Sequence, residues 1–459
     1  MFNRKDLEAW LAPQKIEGKG PEKVSSVVID SRQAREGSLF VALSGERTDG
    51  HRYIEDVLEK GACAVLVKAE WMAENGSLVD KWADKACFAA VEDTLLGLQD
   101  LAKGYRDSFK ELTVVGVTGS NGKTTTKEII YSILSRSGAA VCNQGNLNSD
   151  SGLPLSVFNI REHHRYAVLE MGMNRVGEMA SLARVARPDL ALVTNVGTAH
   201  IGMIGSRQGI AEEKKAIFSH FGKKNIAFVN ESDPFTEFLS RDLPGKVVKY
   251  GPQSLVDYEF VRDEGIYGQT IRLGGRDVRF PLPGKFNVLN ALGAVAVARE
   301  LGFSEEDIVA GLENCGGQFG RAEVVQGETV TLFRDCYNAN GDSMAASLEL
   351  FAGSDKGRRK IAVLGDMGEL GEESPAVHRA VLHQAESLSL EGIFLLGEEF
   401  AKALEAEVRE ERNVSVRSFV DFEELQAVLL ENIRKNDLIL LKGSRTMALE
   451  RLSEPLLKH

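Results

Sequence analysis

The sequence predicts an α/β protein in three domains: residues 1–92 as a small N-terminal α/β domain, 93–316 as a central, mostly parallel sheet around a phosphate-binding loop, and 317–459 as a C-terminal Rossmann-like α/β domain. Three observations carry this expectation. The chain has 459 residues, too many for a single hydrophobic core. Short β-branched runs alternate with helical segments along most of its length, the pattern of parallel strands with helices on both faces. One of those runs ends in a glycine-rich turn, Thr118-Gly-Ser-Asn-Gly-Lys-Thr-Thr125, with a helical segment at 128–134 behind it.

Taken in order, strand-like pieces fall at 24–30, 38–43 and 62–67, with a helix at 53–60. An amphipathic helix over 93–110 leads into the glycine-rich turn. Strands at 166–171, 190–195 and 225–229 then alternate with helices at 176–183 and 208–221. Residues 245–283 are β-rich with many turn glycines and read as an antiparallel appendage, closed by a helix at 287–301. The last block repeats the rhythm with strands at 330–335, 360–364, 393–396 and 438–441. None of its strands is followed by G-x-G-x-x-G, so a second cofactor site is not expected there.

Composition narrows the function. Hydrophobic residues make up 43% and charged residues 27%, as in an ordinary globular protein. A net charge of −12 argues against nucleic-acid binding but leaves room for a local basic cleft. Cys63, Cys87, Cys142, Cys315 and Cys336 include no C-x-x-C pair, which fits a reducing cytoplasm better than a disulfide framework or zinc site. The first ten residues lack the apolar core of a signal peptide, and no run is long enough to span a membrane.

The turn carries the chemistry. Its backbone N–H groups can close on phosphate oxygens, Lys123 can reach the β- and γ-phosphates, and the Thr124 hydroxyl can meet Mg²⁺ at the positive end of a helix. It departs from G-x-x-x-x-G-K-[ST] in having Val117 where glycine is usual, with glycines at 116 and 119. Glu170 and His200 follow strands, where open α/β sheets place ligands. Each reads equally as a metal ligand or as a solvated loop residue, and their shared position with Thr124 favours metal. Lys214 projects from an apolar helical arc of Ile210, Ile217, Phe218 and Phe221. Such a lysine either snorkels to water or is held neutral and reactive. Asn287 and Asn290 could read a base edge or cap their helix. Arg321 could reach a phosphate, Asp335 a ribose hydroxyl, and Lys442 with Arg445 a carboxylate; surface ion pairing is the alternative for each.

Together these motifs resemble the ATP-dependent Mur ligases of bacterial peptidoglycan synthesis. The family loop T-G-x-x-G-K-T-T matches residues 118–125 and accounts for the displaced glycine, and the resemblance covers essentially the whole chain. Asp30-Ser-Arg, Gly37-Ser-Leu-Phe-Val-Ala-Leu, Gly145-Asn-Leu-Asn, Glu170-Met-Gly-Met-Asn, Asn195-Val-Gly-Thr-Ala-His, Tyr337-Asn-Ala-Asn and Leu364-Gly-Asp-Met-Gly-Glu-Leu-Gly direct it to one subgroup. That subgroup joins D-alanyl-D-alanine to UDP-N-acetylmuramoyl-tripeptide through an acyl phosphate.

The resemblance implies ATP and Mg²⁺ as cofactors. It implies ATP contacts from Gly119, Ser120, Asn121, Gly122, Lys123, Thr124, Thr125, Asn287, Asn290, Arg321 and Asp335, and metal ligation by Thr124, Glu170 and His200. Lys123, His200 and Lys214 are the implied catalytic set, with Lys214 converted by CO₂ to a carbamate. Substrate contacts are implied for Ser31, Arg32, Arg47, Asp49, His51, Asn146, Asn148, Tyr337, Asn338, Asn340, Lys442 and Arg445. A cytoplasmic monomer with no nucleic-acid partner is expected. Phe286 stands where His is common, and Gly341 where Pro often follows. The Asp-Asn-Pro-Arg motif of the diaminopimelate-adding ligase is absent. The competing expectations are a sister ligase, adding another amino acid or glutamate to folate, and an NTP-dependent switch that forms no amide.

Overall fold

The structure is a computed structural model that describes all residues except 46–47, 317–319, 356, 408–413 and 459. It is mixed α/β with several mostly parallel sheets, as the sequence predicts. The chain condenses into two compact units, each built from several segments. One comprises Met1–Val117, Gly138–Ala191 and Ala216–Ile226; the other comprises Thr118–Ser137, Leu192–Lys215 and Ala227–His459.

The N-terminal sheet has the strand order Lys15–Gly18, Cys87–Val91, Ala64–Lys68, Ser38–Val41, Ser26–Val28. All pairs are parallel except the first, where Lys15 lies opposite Ala90. Phe40, Val65, Val67, Phe88 and Ala90 bury one face against Ile54, Val57 and Leu58 of the following helical segment. Cys87–Val91 is wholly buried yet escaped the sequence reading. Its Cys-Phe-Ala-Ala-Val run offers one β-branched residue and two alanines, a weak strand signal.

A six-stranded sheet follows in the order Lys246–Tyr250, Ile226–Asn230, Leu190–Val193, Thr113–Thr118, Tyr166–Glu170, Ala140–Cys142. The three-stranded antiparallel appendage is smaller than expected. It comprises Tyr258–Asp263, Gln269–Leu273 and Arg276–Phe280, while Lys246–Tyr250 belongs to the larger sheet. The expected helix at 208–221 also divides. An α-helix runs over Arg207–Lys215, and a 3₁₀ turn, Ala216–Phe218, continues it.

The C-terminal sheet has the order Glu323–Gln326, Thr331–Arg334, Leu438–Lys442, Lys360–Gly365, Gly392–Leu396, Ser415–Phe419. Only its first pair is antiparallel. Alternate residues feed two cores: Phe333, Ala362, Leu364 and Leu440 on one face, Leu332, Ile361, Val363 and Leu441 on the other. Strands buried on both faces read as continuous apolar runs, which is why the four central ones were visible in the sequence, whereas the partly exposed Glu323–Gln326 and Ser415–Phe419 were not.

Candidate active site around the glycine-rich turn

The turn is shaped by two glycines that no other residue could replace. Gly122 caps helix Lys123–Leu134 with φ +79°, and a Cβ there would stand 2.5 Å from Asn290 Oδ1. Gly119 has φ +152°, and its Cβ would fall 1.8 Å from Thr194 Oγ1. Both combine a backbone unfavourable to other residues with the close approach of a neighbouring side chain.

Thr194 and Asn195 clamp the loop. Ser120 N donates to Asn195 O at 3.0 Å and Asn121 N to Asn195 Oδ1 at 2.9 Å. Asn121 O accepts from Thr194 Oγ1 at 2.6 Å and from Asn195 Nδ2 at 3.0 Å. Ser120 Oγ accepts from Gly197 N at 2.9 Å. The sequence shows Asn195 only as part of a motif and does not reveal this role; its position just after strand Leu190–Val193 is the one local signal for it.

Lys123 Nζ donates to Gly119 O at 2.8 Å and Ser120 O at 3.1 Å, so the ammonium lies over the loop itself. Thr124 is buried within the first helical turn. Asn290 Nδ2 donates to Asn287 Oδ1 at 3.1 Å, and Asn287 Nδ2 to Pro283 O at 2.8 Å. A cleft alongside is lined by Thr125, Glu128, Ile129, Leu282, Asn287, Gly316 and Arg321. Three residues expected at ATP, Thr125, Asn287 and Arg321, therefore share one wall system.

Lys214 is 1% exposed, as are its arc partners Ile210 and Ile217 within a percent. Burial drives its pKa well below the usual lysine range, the Lys123 cation adds to the shift, and Glu213 opposes it. The neighbouring Lys215 differs in kind: its Nζ donates to Phe238 O and Arg241 O, each at 2.8 Å.

The prospective metal ligands are described separately. Glu170 is buried at the end of its strand, where Asn148 Nδ2 donates to its Oε1 at 2.7 Å. Asn143 holds its backbone through two bonds of 2.9 Å. His200 has φ +65°, and its Nδ1 lies 2.6 Å from Glu369 Oε2. Contact with His200 is the leading cause that holds Glu369 below the ordinary carboxylate range. Among the described residues no three His, Cys, Asp or Glu side chains gather into a metal cage. Mg²⁺ rarely uses one, taking one or two carboxylates with substrate phosphates and water. A buried carboxylate, a hydroxyl and an imidazole are each donor types that Mg²⁺ accepts.

Other expected residues divide into two groups. Asp335, Tyr337, Asn338, Lys442 and Arg445 come together: Lys442 Nζ lies 2.8 Å from Asp335 Oδ2 and donates to Asn338 O at 3.0 Å. The guanidinium of Arg321 stacks 4.0 Å from the Tyr337 ring centre, with that of Arg445 at 5.7 Å. Asn340 caps helix Gly341–Gly353 and donates through Nδ2 to Asn121 Oδ1 at 2.9 Å, reaching the loop directly. In the N-terminal unit, Ser31 and Arg32 form a 3₁₀ turn capped by Asp30, and Arg32 pairs back onto Asp30 at 2.7 Å. His51 is buried, its Nδ1 2.7 Å from Asp49 Oδ1 and its Nε2 accepting from Lys68 N at 3.0 Å. Both ring nitrogens are thus engaged by the protein. Asn146 is exposed, and Arg47 lies outside the described residues.

Residues 23–105 match the Mur ligase family catalytic domain, 117–298 the Mur ligase middle domain, and 320–445 the Mur ligase glutamate ligase domain. The chain is 41% identical over 444 residues to the UDP-N-acetylmuramoyl-tripeptide–D-alanyl-D-alanine ligase of Treponema pallidum, covering 96% of this chain and 95% of that one. The chain belongs to the Mur ligase family. Among Mur ligase structures, MurF from Acinetobacter baumannii superposes with a TM-score of 0.87 at 31% identity, covering 100% of this chain and 99% of that one. MurF ligase from Thermotoga maritima in complex with ADP gives a TM-score of 0.81 at 30% identity, covering 95% and 97%.

Proposed function

We propose that this Mur ligase joins D-alanyl-D-alanine to UDP-N-acetylmuramoyl-tripeptide, cleaving ATP to ADP and phosphate. The observation that carries the reading is the clamped phosphate loop with a buried lysine, Lys214, under the influence of Lys123. It is supported by similarity over nearly the full length to ligases of that name.

The chemistry follows from the substrates. A carboxylate resists an amine because its charge repels attack and oxide is a poor leaving group. Transfer of the γ-phosphoryl group to the tripeptide carboxylate gives an acyl phosphate and ADP. The dipeptide amine then adds to the acyl carbon, losing a proton, and phosphate departs as the amide forms. The loop N–H groups and Lys123 would hold the phosphates and offset the repulsion between the two anions. Mg²⁺, held by Thr124, Glu170 and His200, would supply Lewis-acid charge at the phosphates.

Lys214 in its neutral form could add CO₂, forming a carbamate and releasing one proton. Its burial disfavours the ammonium and leaves the amine lone pair available. This would exchange a cation for an anion suited to Mg²⁺. We assign the nucleotide-sugar to residues 1–92, ATP to 93–316 and the dipeptide to 317–459. Lys442 and Arg445, the latter beside the Tyr337 ring, offer cations for the dipeptide carboxylate.

Mass spectrometry of products from ATP, Mg²⁺, UDP-muramoyl tripeptide and D-alanyl-D-alanine tests the reading. A UDP-muramoyl pentapeptide with equimolar ADP is expected. AMP and pyrophosphate, or ADP without a new amide, would overturn it.

A further inference from the structure

Among the described residues, the cleft beside the phosphate loop is lined by one carboxylate, Glu128, that the reaction above leaves without a role. Thr125, Glu128 and Ile129 lie three and four residues apart on helix Lys123–Leu134, so they share one face that begins at the loop. Ile129 and Leu282 are both buried and supply apolar walls. Apolar walls with a few polar groups, beside the turn expected to hold the phosphates, match the chemistry of a planar purine ring.

A base edge needs a polar reader, and Asn287 is an awkward one. Its Nδ2 donates to Pro283 O at 2.8 Å while its Oδ1 accepts from Asn290 at 3.1 Å, so the amide joins the helix start to the residue facing Gly122. Glu128 is placed otherwise. Its Oε1 lies 2.7 Å from Lys127 Nζ, and Lys127 is fully buried. An ion pair with one partner locked in the core fixes the carboxylate far better than a surface pair between two mobile side chains.

We propose that Glu128 reads the nucleotide base, accepting a hydrogen bond from the exocyclic 6-amino group of adenine. An ionised carboxylate only accepts hydrogen bonds. Adenine offers it a donor at that position; guanine and hypoxanthine present a carbonyl oxygen there, so two acceptors face each other and repel. Glu128 thereby makes the site selective for ATP, and buried Lys127 is its positioning residue. This rests on assigning the loop and cleft to ATP.

Titration calorimetry with ADP, GDP and IDP in the presence of Mg²⁺ tests the proposal without ligase turnover. The full chain should bind ADP at least about tenfold more tightly than IDP or GDP, the ratio expected for one charge-assisted hydrogen bond. Glu128→Ala should lose ADP affinity while keeping that for IDP, collapsing the ratio. Glu128→Gln, whose amide can donate to a carbonyl, should shift the preference towards GDP. Retained IDP binding distinguishes loss of base reading from loss of fold. Equal affinity of the unaltered chain for ADP and IDP would overturn the proposal, as would Glu128→Ala weakening all three nucleotides alike. If adenine selectivity holds but no amide forms in the product assay, the ligase reading fails and the role of Glu128 stands. The converse separates them equally well.

Discussion

The phosphate-loop region and the Asp30–Arg32 region of the N-terminal sheet use charge in opposite ways. Around the loop, Lys127 and Lys214 are at most 1% exposed. In the N-terminal unit, the Arg32 side chain is 87% exposed and draws its order from Asp30, whose carboxyl it holds down to about 2. A buried charge is costly, so it persists only where surroundings neutralise it, pair it or alter its protonation. An exposed charge costs little and acts through reach. The first kind should therefore govern chemistry, and the second the affinity for one substrate.

The strongest test removes the buried amine. Lys214→Ala should reduce amide formation by at least about a thousandfold, while Lys215→Ala keeps substantial activity, because Lys215 is turned to two backbone carbonyls and the Phe238 ring. High acetate or formate should partly restore the first variant by placing an anion where the carbamate would stand. Comparable losses for both lysines, without rescue, would make Lys214 a structural residue.

Next comes Lys123→Ala, expected to lower turnover by about 10² to 10³, the scale of one preorganised group at a developing charge. Its melting temperature should barely move, since its ammonium donates to Gly119 O and Ser120 O of the same loop. Turnover at the original rate would detach this loop from ATP.

A smaller effect is expected at the exposed charge. Arg32→Ala should raise KM for UDP-muramoyl tripeptide about tenfold and leave KM for ATP unchanged, the value of one charge-assisted contact. An equal rise in both constants would erase the contrast between the regions.

The mildest test is thermodynamic. Burial makes Lys214 hold its proton less tightly in the fold than in the unfolded chain, where its ordinary value is 10.5. The unfolded state then holds more protons, so this residue lowers stability at neutral pH, and the penalty fades as pH rises towards that value. Lys214→Met should raise the melting temperature at pH 7 in CO₂-free buffer, and raise it less near pH 10. A gain that does not depend on pH would mean the folded lysine keeps its proton.

The sequence revealed features whose cause is local. Gly119 and Gly122 announce a backbone that only glycine adopts, and Lys123 with Thr124 occupies fixed places on the helix that follows. Strands such as Lys360–Gly365 and Leu438–Lys442 show as apolar runs because both faces of their sheet are covered. The amphipathic arc containing Lys214 was visible for the same reason, although the α-helix stops at Lys215.

Other features had no local signal. The Asn195 clamp joins residues 74 apart, and the Asn340 contact with Asn121 spans 219. The dual engagement of His51 depends on Lys68, and the His200–Glu369 contact on a segment far along the chain. A sequence can state that a side chain is able to donate, accept or carry charge. Which partner it meets, how much water remains and hence which protonation state prevails depend on distant residues brought together by packing. By itself, this sequence determined the kind of loop and the layered α/β class. The tertiary structure decided which lysine is buried away from water, which asparagines hold the loop, and which carboxylate lines the cleft.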